Sequence, residues 1–301
     1  MTTLDQARPT PPARPTPPAR PARPGLRARQ GRRAALNTAA AAFCVLWAFP
    51  VYWMVNTAFK PTGDILSATP RFLPVPFTLA NFADAVDKPG FLTDLRNSAV
   101  VTCAVVLLAI GLAFFAAVAL TRFRFLGRRS FLIAVLVVQM IPQPALLIPL
   151  FLSLKSANLL NSLVGLTLTY VAMVLPFTIW TLRGFLHGIP RELEEAAMVD
   201  GASRMTIIRK VLLPLVMPGV IATSVFAFIA AWNDYLFAYV LMKDQSHYTL
   251  PVWLVSFSTN TGTDYGGLIA ASTLFALPVV VFFMLIQRRL VAGMTAGAVK
   301  D

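Results

Sequence analysis

The chain has 301 residues, of which 57% are hydrophobic and 13% are charged, and its mean hydropathy is +0.68. Soluble domains carry about 25% charged residues, so this composition excludes a soluble globular protein and indicates that lipid surrounds most of the chain. The net charge of +13 would suit a nucleic-acid partner. Most Lys and Arg residues, however, flank apolar stretches, and this distribution is the positive-inside pattern of membrane proteins. We therefore predict no nucleic-acid partner.

The N-terminal segment is rich in Arg and Pro and repeats the sequence ARPTPP at 7–12 and 13–18. A segment with so few apolar side chains cannot bury a core, which predicts a disordered cytoplasmic tail over 1–35. Its arginines would contact anionic lipid headgroups or mark the cytoplasmic side, and its prolines would also suit an SH3-type ligand.

Six later stretches are long and apolar enough to cross the ~30 Å hydrocarbon layer as helices. An even number of spans places both termini on the cytoplasmic side, together with the basic segments. We therefore predict an all-α polytopic membrane protein with a six-helix domain over 36–288 and a cytoplasmic tail over 289–301. The predicted spans are about 36–59, 97–121, 130–153, 160–182, 214–242 and 265–287.

Two segments are predicted to face outward. Segment 60–96 is rich in Pro and aromatic residues, which predicts an irregular loop with a short amphipathic helix around 79–86. Segment 243–264 carries Tyr248, Trp253 and Phe257, which suit either a membrane-interface belt or a docking surface.

A polar cytoplasmic loop, 190–213, separates the fourth and fifth spans. Pro190 opens a predicted helix that ends near Val199 and has three glutamates near its positive N-terminal end. Asp200 and Gly201 then permit a sharp turn, and a second helix is predicted to begin near Ser203. Taken alone, the residues fit an ordinary amphipathic connector as well as a docking knob for another protein. The knob would be the corner with almost no side chains, formed by Ala196, Ala197, Gly201 and Ala202.

The sequence EAAMVDGASRMTIIRKVLLPLVMP, which starts at Glu195, resembles the EAA loop of permease subunits of ATP-binding-cassette (ABC) importers. It departs from that pattern at Ile208, where many family members have Phe, although an apolar anchor is kept. The stretches 231–237 and 287–300 are similar to the second permease of maltose-type systems, in the carbohydrate branch of the family. The resemblance covers roughly 36–301, and its matching EAA-loop positions are Glu195-Ala196-Ala197, Asp200-Gly201-Ala202, Leu213-Pro214-Leu215 and Pro218.

The resemblance implies a type I ABC importer permease fold, in the plasma membrane of a prokaryote. It also implies a sugar substrate, preferably a di- or oligosaccharide, that an extracytoplasmic solute-binding protein delivers. The other implied partners are a companion permease in a heterodimer and two ATP-binding subunits. The ATPase-coupling residues would be Glu195, Ala196, Ala197, Asp200, Gly201, Ala202 and Ile208, and the C-terminal contacts with the ATPase would be Gly293, Gly297 and Lys300.

Asp234 is the one acidic residue in a long apolar stretch, and charges within membranes are functional candidates. Carboxylate and amide groups can take sugar hydroxyls while rings stack on the sugar, which makes Trp232, Asn233, Asp234 and Tyr235 a possible substrate path. Asp234 would equally suit a pairing role between helices or a position near the outer boundary.

The sequence has no G-x-x-x-x-G-K-[ST] phosphate loop, so ATP and Mg would be bound by partner subunits and this chain would need no cofactor. Cys44 and Cys103 form no CxxC or Cys/His cluster, which predicts packing residues and no metal site. A membrane enzyme is disfavoured because HExxH and GxSxG are lacking, and no catalytic residue is predicted. The remaining alternative is an ion-coupled secondary transporter, which would usually need several buried carboxylates.

Overall fold

The computed structural model describes residues 26–260 and 262–298, and side chains within 35–260 and 262–287. The predicted tail therefore lies outside the described residues up to residue 25, while its remainder, from Leu26, belongs to the first helix. The elements are helices Leu26–Ala58 (α1), Thr62–Ile65 (α2), Ala80–Asp87 (α3), Phe91–Arg122 (α4), Arg128–Gln139 (α5), Leu147–Ser156 (α6), Leu163–His187 (α7), Glu192–Val199 (α8), Arg204–Ile207 (α9), Leu213–Asn233 (α10), Leu236–Leu241 (α11), Leu250–Val255 (α12) and Tyr265–Ala298 (α13), with strands Ser258–Thr259 (β1) and Gly262–Thr263 (β2).

Among the described residues, five helical segments are long and apolar enough to cross a membrane, and a bent pair of helices gives a sixth span if it is counted as one. The five segments are Ala35–Ala58, Phe91–Arg122, Leu163–His187, Arg204–Asn233 and Tyr265–Gln287. The third predicted span, 130–153, is not one helix, because its two parts meet at an angle of 102°. Pro142 lies in this break and Pro144 lies in the first helical turn after it. Proline cannot donate a helical hydrogen bond, and its ring clashes with the preceding turn.

The fifth predicted span, 214–242, also differs from the structure, because α10 ends at Asn233 and a short helix, α11, follows. Asp234 has an extended backbone (φ −71°, ψ 122°), and its Oδ1 accepts hydrogen bonds from the N–H groups of Phe237 and Ala238. A side chain that satisfies the first N–H groups of a new helix ends the old one.

Helix α1 divides at Tyr52 between two compact units, Met1–Tyr52 and Trp53–Asp301. In the first unit, Leu46 and Trp47 are 70% and 69% exposed, as expected for side chains that meet lipid. Cys44 is exposed, and so is Cys103 in the second unit. The prediction that both cysteines are packing residues therefore finds no support within this chain, since neither side chain is buried in it.

The core of the second unit is built by α4, α7 and α10, which pack against one another. Helix α4 contributes Ala109, Ala113 and Ala117, all fully buried at a spacing of four residues. Such a row of small side chains lets neighbouring helices approach closely, as is common within membranes. Gly219 serves the same purpose on α10, since a Cβ there would lie 2.6 Å from the ring of Phe185 on α7.

The two segments that are predicted to face outward are held by buried polar side chains. The predicted helix around 79–86 is confirmed as α3, where Asn81 donates to the carbonyl oxygens of Ala58 and Lys60 at 2.9 and 2.7 Å. Asn97 on α4 donates to the carbonyl oxygens of Ser246 and Tyr248, both at 2.9 Å. These bonds fix the loop that follows α11 to the N-terminal part of α4.

Two aromatic residues of the second outward segment lie elsewhere than predicted. Trp253 and Phe257 are each 3% exposed and belong to a buried cluster, so they form neither an interface belt nor a docking surface. The indole N–H of Trp253 donates to the carbonyl oxygen of Pro89 at 3.1 Å, which satisfies its one polar group.

Candidate functional site

The loop between α7 and α10 forms the predicted helix-turn-helix, with α8 over Glu192–Val199 and α9 from Arg204. Gly201 has φ +80°, and the N–H groups of Gly201 and Ala202 donate to the carbonyl oxygens of Met198 and Ala197. This is the Schellman pattern that closes a helix, and it favours glycine because other residues are strained at positive φ. Ser203 then caps α9 by accepting from the N–H of Thr206.

The helix-turn-helix is clamped to the end of α4. Arg122 Nε lies 2.5 Å from Glu194 Oε1, and the two side chains are only 10% and 15% exposed. Arg122 also donates to the carbonyl oxygen of Ile189 at 3.0 Å. In the opposite direction, Arg191 of the loop donates to the carbonyl oxygen of Thr121 on α4 at 3.1 Å. The last carbonyls of a helix lack partners within it and carry partial negative charge, so an arginine is well placed there. These contacts, which we call the α4 clamp, tie the loop to a central membrane helix.

The predicted coupling residues divide into two groups. Ala197, Ala202 and Ile208 are half-buried and pack against a cluster that includes the buried residues Ile207 and Leu212. Glu195, Ala196, Asp200 and Gly201 are exposed. The first group therefore packs the loop against this cluster, and the second group forms the exposed surface of the loop, which we call the free surface.

The free surface also carries apolar residues that our sequence reasoning missed. Met198, Val199 and Met205 are 50%, 88% and 46% exposed, although the loop is predicted to lie outside the lipid. Apolar side chains in an otherwise polar loop were the available signal. An exposed apolar group rimmed by charges is typical of a protein-binding surface.

A cavity of about 220 Å³ lies between the end of α4 and the helix-turn-helix. Its charged lining residues carry both signs, and the guanidinium of Arg204 stands 5.7 Å from the ring centroid of Phe123. The lining includes Arg122, Arg191, Arg204, Glu194 and Glu195. A pocket with opposed charges and an apolar floor suits a polar side chain of a docked protein.

The predicted substrate path lies at the break after α10. Trp232 is 2% exposed, and its indole N–H donates to the carbonyl oxygen of Phe275 at 3.2 Å. The hydroxyl of Tyr170 donates to Asp234 at 2.7 Å, in addition to the two N–H groups of α11. Asn233 and Tyr235 are exposed. Sugar contact by these four residues stays a prediction, and the bonds of Asp234 favour its alternative role in pairing helices.

The predicted C-terminal contacts are placed only in part. Gly293 and Gly297 lie within α13, which continues to Ala298, so the described part of the 289–301 tail is helical. Lys300 lies outside the described residues.

Comparisons with known proteins agree with this architecture. Residues 109–296 match the family model described as "Binding-protein-dependent transport system inner membrane component". The diacetylchitobiose uptake system permease protein DasC of Streptomyces coelicolor is 46% identical over 247 residues, which cover 82% of this chain and 90% of that protein. The trehalose/maltose transport system permease protein MalG of Thermococcus litoralis is 35% identical over 239 residues, or 77% of this chain and 86% of that protein.

A solved structure shows the same fold. A chain of a bacterial ABC transporter involved in the import of alginate superposes with a TM-score of 0.76, over 89% of this chain and 99% of that chain. At 21% identity, this likeness concerns the fold alone. Together with the family match, it confirms the predicted fold class, a polytopic and almost entirely helical permease fold.

Proposed function

This chain belongs to the family of binding-protein-dependent transport system inner membrane components, and on that basis we propose that it is the permease subunit of an ABC importer for a di- or oligosaccharide. A transport component of this kind is not itself an enzyme. Relatives named for the uptake of diacetylchitobiose and of trehalose or maltose support a disaccharide substrate. The ion-coupled alternative has no support from the family or from these relatives.

The observation that carries the proposal is the α4 clamp beneath an exposed apolar surface. A docked ATPase subunit would bury Met198, Val199 and Met205, and its movement would reach α4 through the pair Arg122 and Glu194. ATP-driven closure of two such subunits would then rock the spans between inward-facing and outward-facing states. The coupling roles of Glu195, Ala196, Ala197, Asp200, Gly201, Ala202 and Ile208 belong to this proposal.

The proposal includes the arrangement in the membrane and three kinds of partner. The chain would lie in the inner (plasma) membrane of a prokaryote with both termini in the cytoplasm, as the distribution of basic residues favours. A companion permease would complete the translocation path, and Gly293, Gly297 and Lys300 would contact the ATP-binding subunits. A solute-binding protein would dock on the outward segments 60–96 and 243–264, which Asn81 and Asn97 hold in place.

The test is the recovery of partners with this chain from native membranes. We expect a tagged chain, solubilised gently, to copurify with an ATP-binding subunit, a second permease and a binding protein that carries the sugar. Val199→Asp should remove the ATP-binding subunit, because it places a charge on a side chain that is 88% exposed within the apolar surface. Leu126→Asp is the matched control, since Leu126 is fully exposed in the turn between α4 and α5 and lies outside this apolar surface. Recovery of the chain alone, or equal ATPase recovery from both variants, would contradict the proposal.

A further inference from the structure

The third predicted span is broken after little more than half of the length that a membrane crossing needs. Helix α5 has 12 residues from Arg128 to Gln139 and is therefore about 18 Å long, against a hydrocarbon layer of ~30 Å. The chain resumes at Gln143 in a direction that differs by 102°. Backbone without regular helical bonds inside a membrane must meet protein or water, because lipid offers no hydrogen-bond partner.

A cavity of about 330 Å³ lies beside the break, within the size range of small-molecule sites. One wall is the break itself, with Gln139 and Gln143, and the opposite wall comes from α7 and α10. There Phe177 and Phe226 pack with ring centroids 4.1 Å apart, and the two side chains remain 37% and 39% exposed. Both rings therefore present free surface to the cavity region.

The polar groups of the cavity are available to a ligand. Among its described lining residues, Gln139 and Gln143 carry the polar side chains, and none is charged. Within the described part of the chain, neither amide has a hydrogen-bond partner, and both residues are exposed. An amide that faced lipid would lose its hydrogen bonds to water without compensation, so this surface is suited to an aqueous path and not to the lipid face.

We propose that the break at 140–142, the amides of Gln139 and Gln143, and the rings of Phe177 and Phe226 form a saccharide subsite on this chain. The subsite rests on the proposed function. Each amide can donate to one sugar hydroxyl and accept from another, and the rings offer a surface for the apolar C–H face of a sugar. Because the lining has no cation, the subsite suits a neutral saccharide and gives no pairing for the carboxylates of an acidic one.

The position differs from the predicted substrate path at 232–235. There Asp234 already accepts three hydrogen bonds from this chain, and the N–H of Trp232 is taken by Phe275. A sugar would have to displace these partners, whereas at the broken span it would meet unpaired amides.

The first test uses the complete importer in proteoliposomes, with its binding protein and a neutral disaccharide panel of diacetylchitobiose, trehalose and maltose. In a chain freed of its two cysteines by Cys44→Ala and Cys103→Ala, Gln143→Cys is labelled with a water-soluble methanethiosulfonate and read on this chain by mass spectrometry. We expect labelling in the complex held by ATP and vanadate, slowed about fivefold or more by the transported disaccharide and unaffected by a uronic-acid oligosaccharide. A cysteine that is never labelled, or is labelled at one rate with and without disaccharide, overturns the subsite.

The second test measures sugar imported per ATP hydrolysed. Replacing both glutamines by leucine should lower this ratio about fivefold or more, because two hydrogen-bonding groups are lost, while binding-protein-stimulated ATP hydrolysis persists. Gln287→Leu is the matched control, since that exposed amide lies on α13 and does not line the cavity. Import by the double variant at the wild-type ratio overturns the subsite. A wild-type complex that hydrolyses ATP but imports no saccharide refutes the proposed function itself, and the subsite with it.

Discussion

The α4 clamp predicts that Arg122→Met uncouples ATP hydrolysis from import. Arg122 and Glu194 are 10% and 15% exposed, so the methionine would leave a carboxylate with little water and no partner. Breaking a buried ion pair on one side costs about 3–5 kcal/mol, and the bond from Arg122 to Ile189 is lost as well. Even about 3 kcal/mol of this cost, if it falls on the docked state of the loop, lowers the population of that state roughly a hundredfold.

The assay is import and ATP hydrolysis by the reconstituted complex, followed together. We expect Arg122→Met to keep a measurable ATPase rate and to lose most import, with faster hydrogen exchange in α8 and α9 because the loop is released from α4. Arg124→Met is the control, since Arg124 is exposed two residues further along the chain.

A double variant separates the clamp from simple loss of stability. Arg122→Met with Glu194→Leu removes both charges, so the cost should be smaller than that of the single change, and import should partly return. The reasoning would be refuted if Arg122→Met imported sugar as well as Arg124→Met, or if the double variant were worse than both single variants combined.

Three further predictions concern positions where the backbone or a buried amide decides the outcome. Gly201→Ala should weaken copurification of the ATPase and cost about 1–2 kcal/mol of loop stability, because φ is +80° at this position and alanine is strained there even though open space surrounds it. Hydrogen exchange of α8 measures the loss of stability, and unchanged protection would count against backbone strain. Asn97→Ala should leave the carbonyl oxygens of Ser246 and Tyr248 without their donor, which should cost about 1–3 kcal/mol of local stability. We expect faster hydrogen exchange in 243–250 and unchanged hydrogen exchange elsewhere. Gly219→Ala should lower the melting temperature in detergent, since the new Cβ would lie 2.6 Å from the ring of Phe185. Phe185→Leu in the same chain should restore part of the lost melting temperature. No rescue would show that the close approach is not the cause.

The helix-turn-helix could be predicted from sequence because its determinants are local. Pro190, the glutamates, Gly201 and Ser203 act within a few residues of themselves, and the structure places α8 and α9 where these residues indicate. The α4 clamp could not be predicted in this way, because Arg122 and Glu194 are 72 positions apart in the chain and meet only through the packing of α4 beside α7.

The break in the third span shows the limit of single-residue signals. Pro50, Pro176, Pro218 and Pro278 all lie inside helices that continue past them, so one proline in an apolar stretch does not predict a break. The broken span has Pro142 and Pro144 two residues apart, which removes two N–H donors from one turn and restricts the residue between them. The pair was visible in the sequence, but the continuous apolar stretch favoured an unbroken helix.

Asp234 shows a second limit. A carboxylate in an apolar stretch is a functional candidate by default, yet three donors from this chain surround it, and one of them, Tyr170, is 64 positions away. Sequence could identify the unusual charge but not the partners that satisfy it.

The most direct test of the ATP-driven importer function is sugar uptake by proteoliposomes that contain the purified complex, with ATP enclosed and no ion gradient. We expect uptake of a neutral disaccharide that requires both ATP and the solute-binding protein, and that is lost with Val199→Asp but kept with Leu126→Asp. Uptake driven by a proton or sodium gradient without ATP would contradict it and would establish the ion-coupled transporter instead.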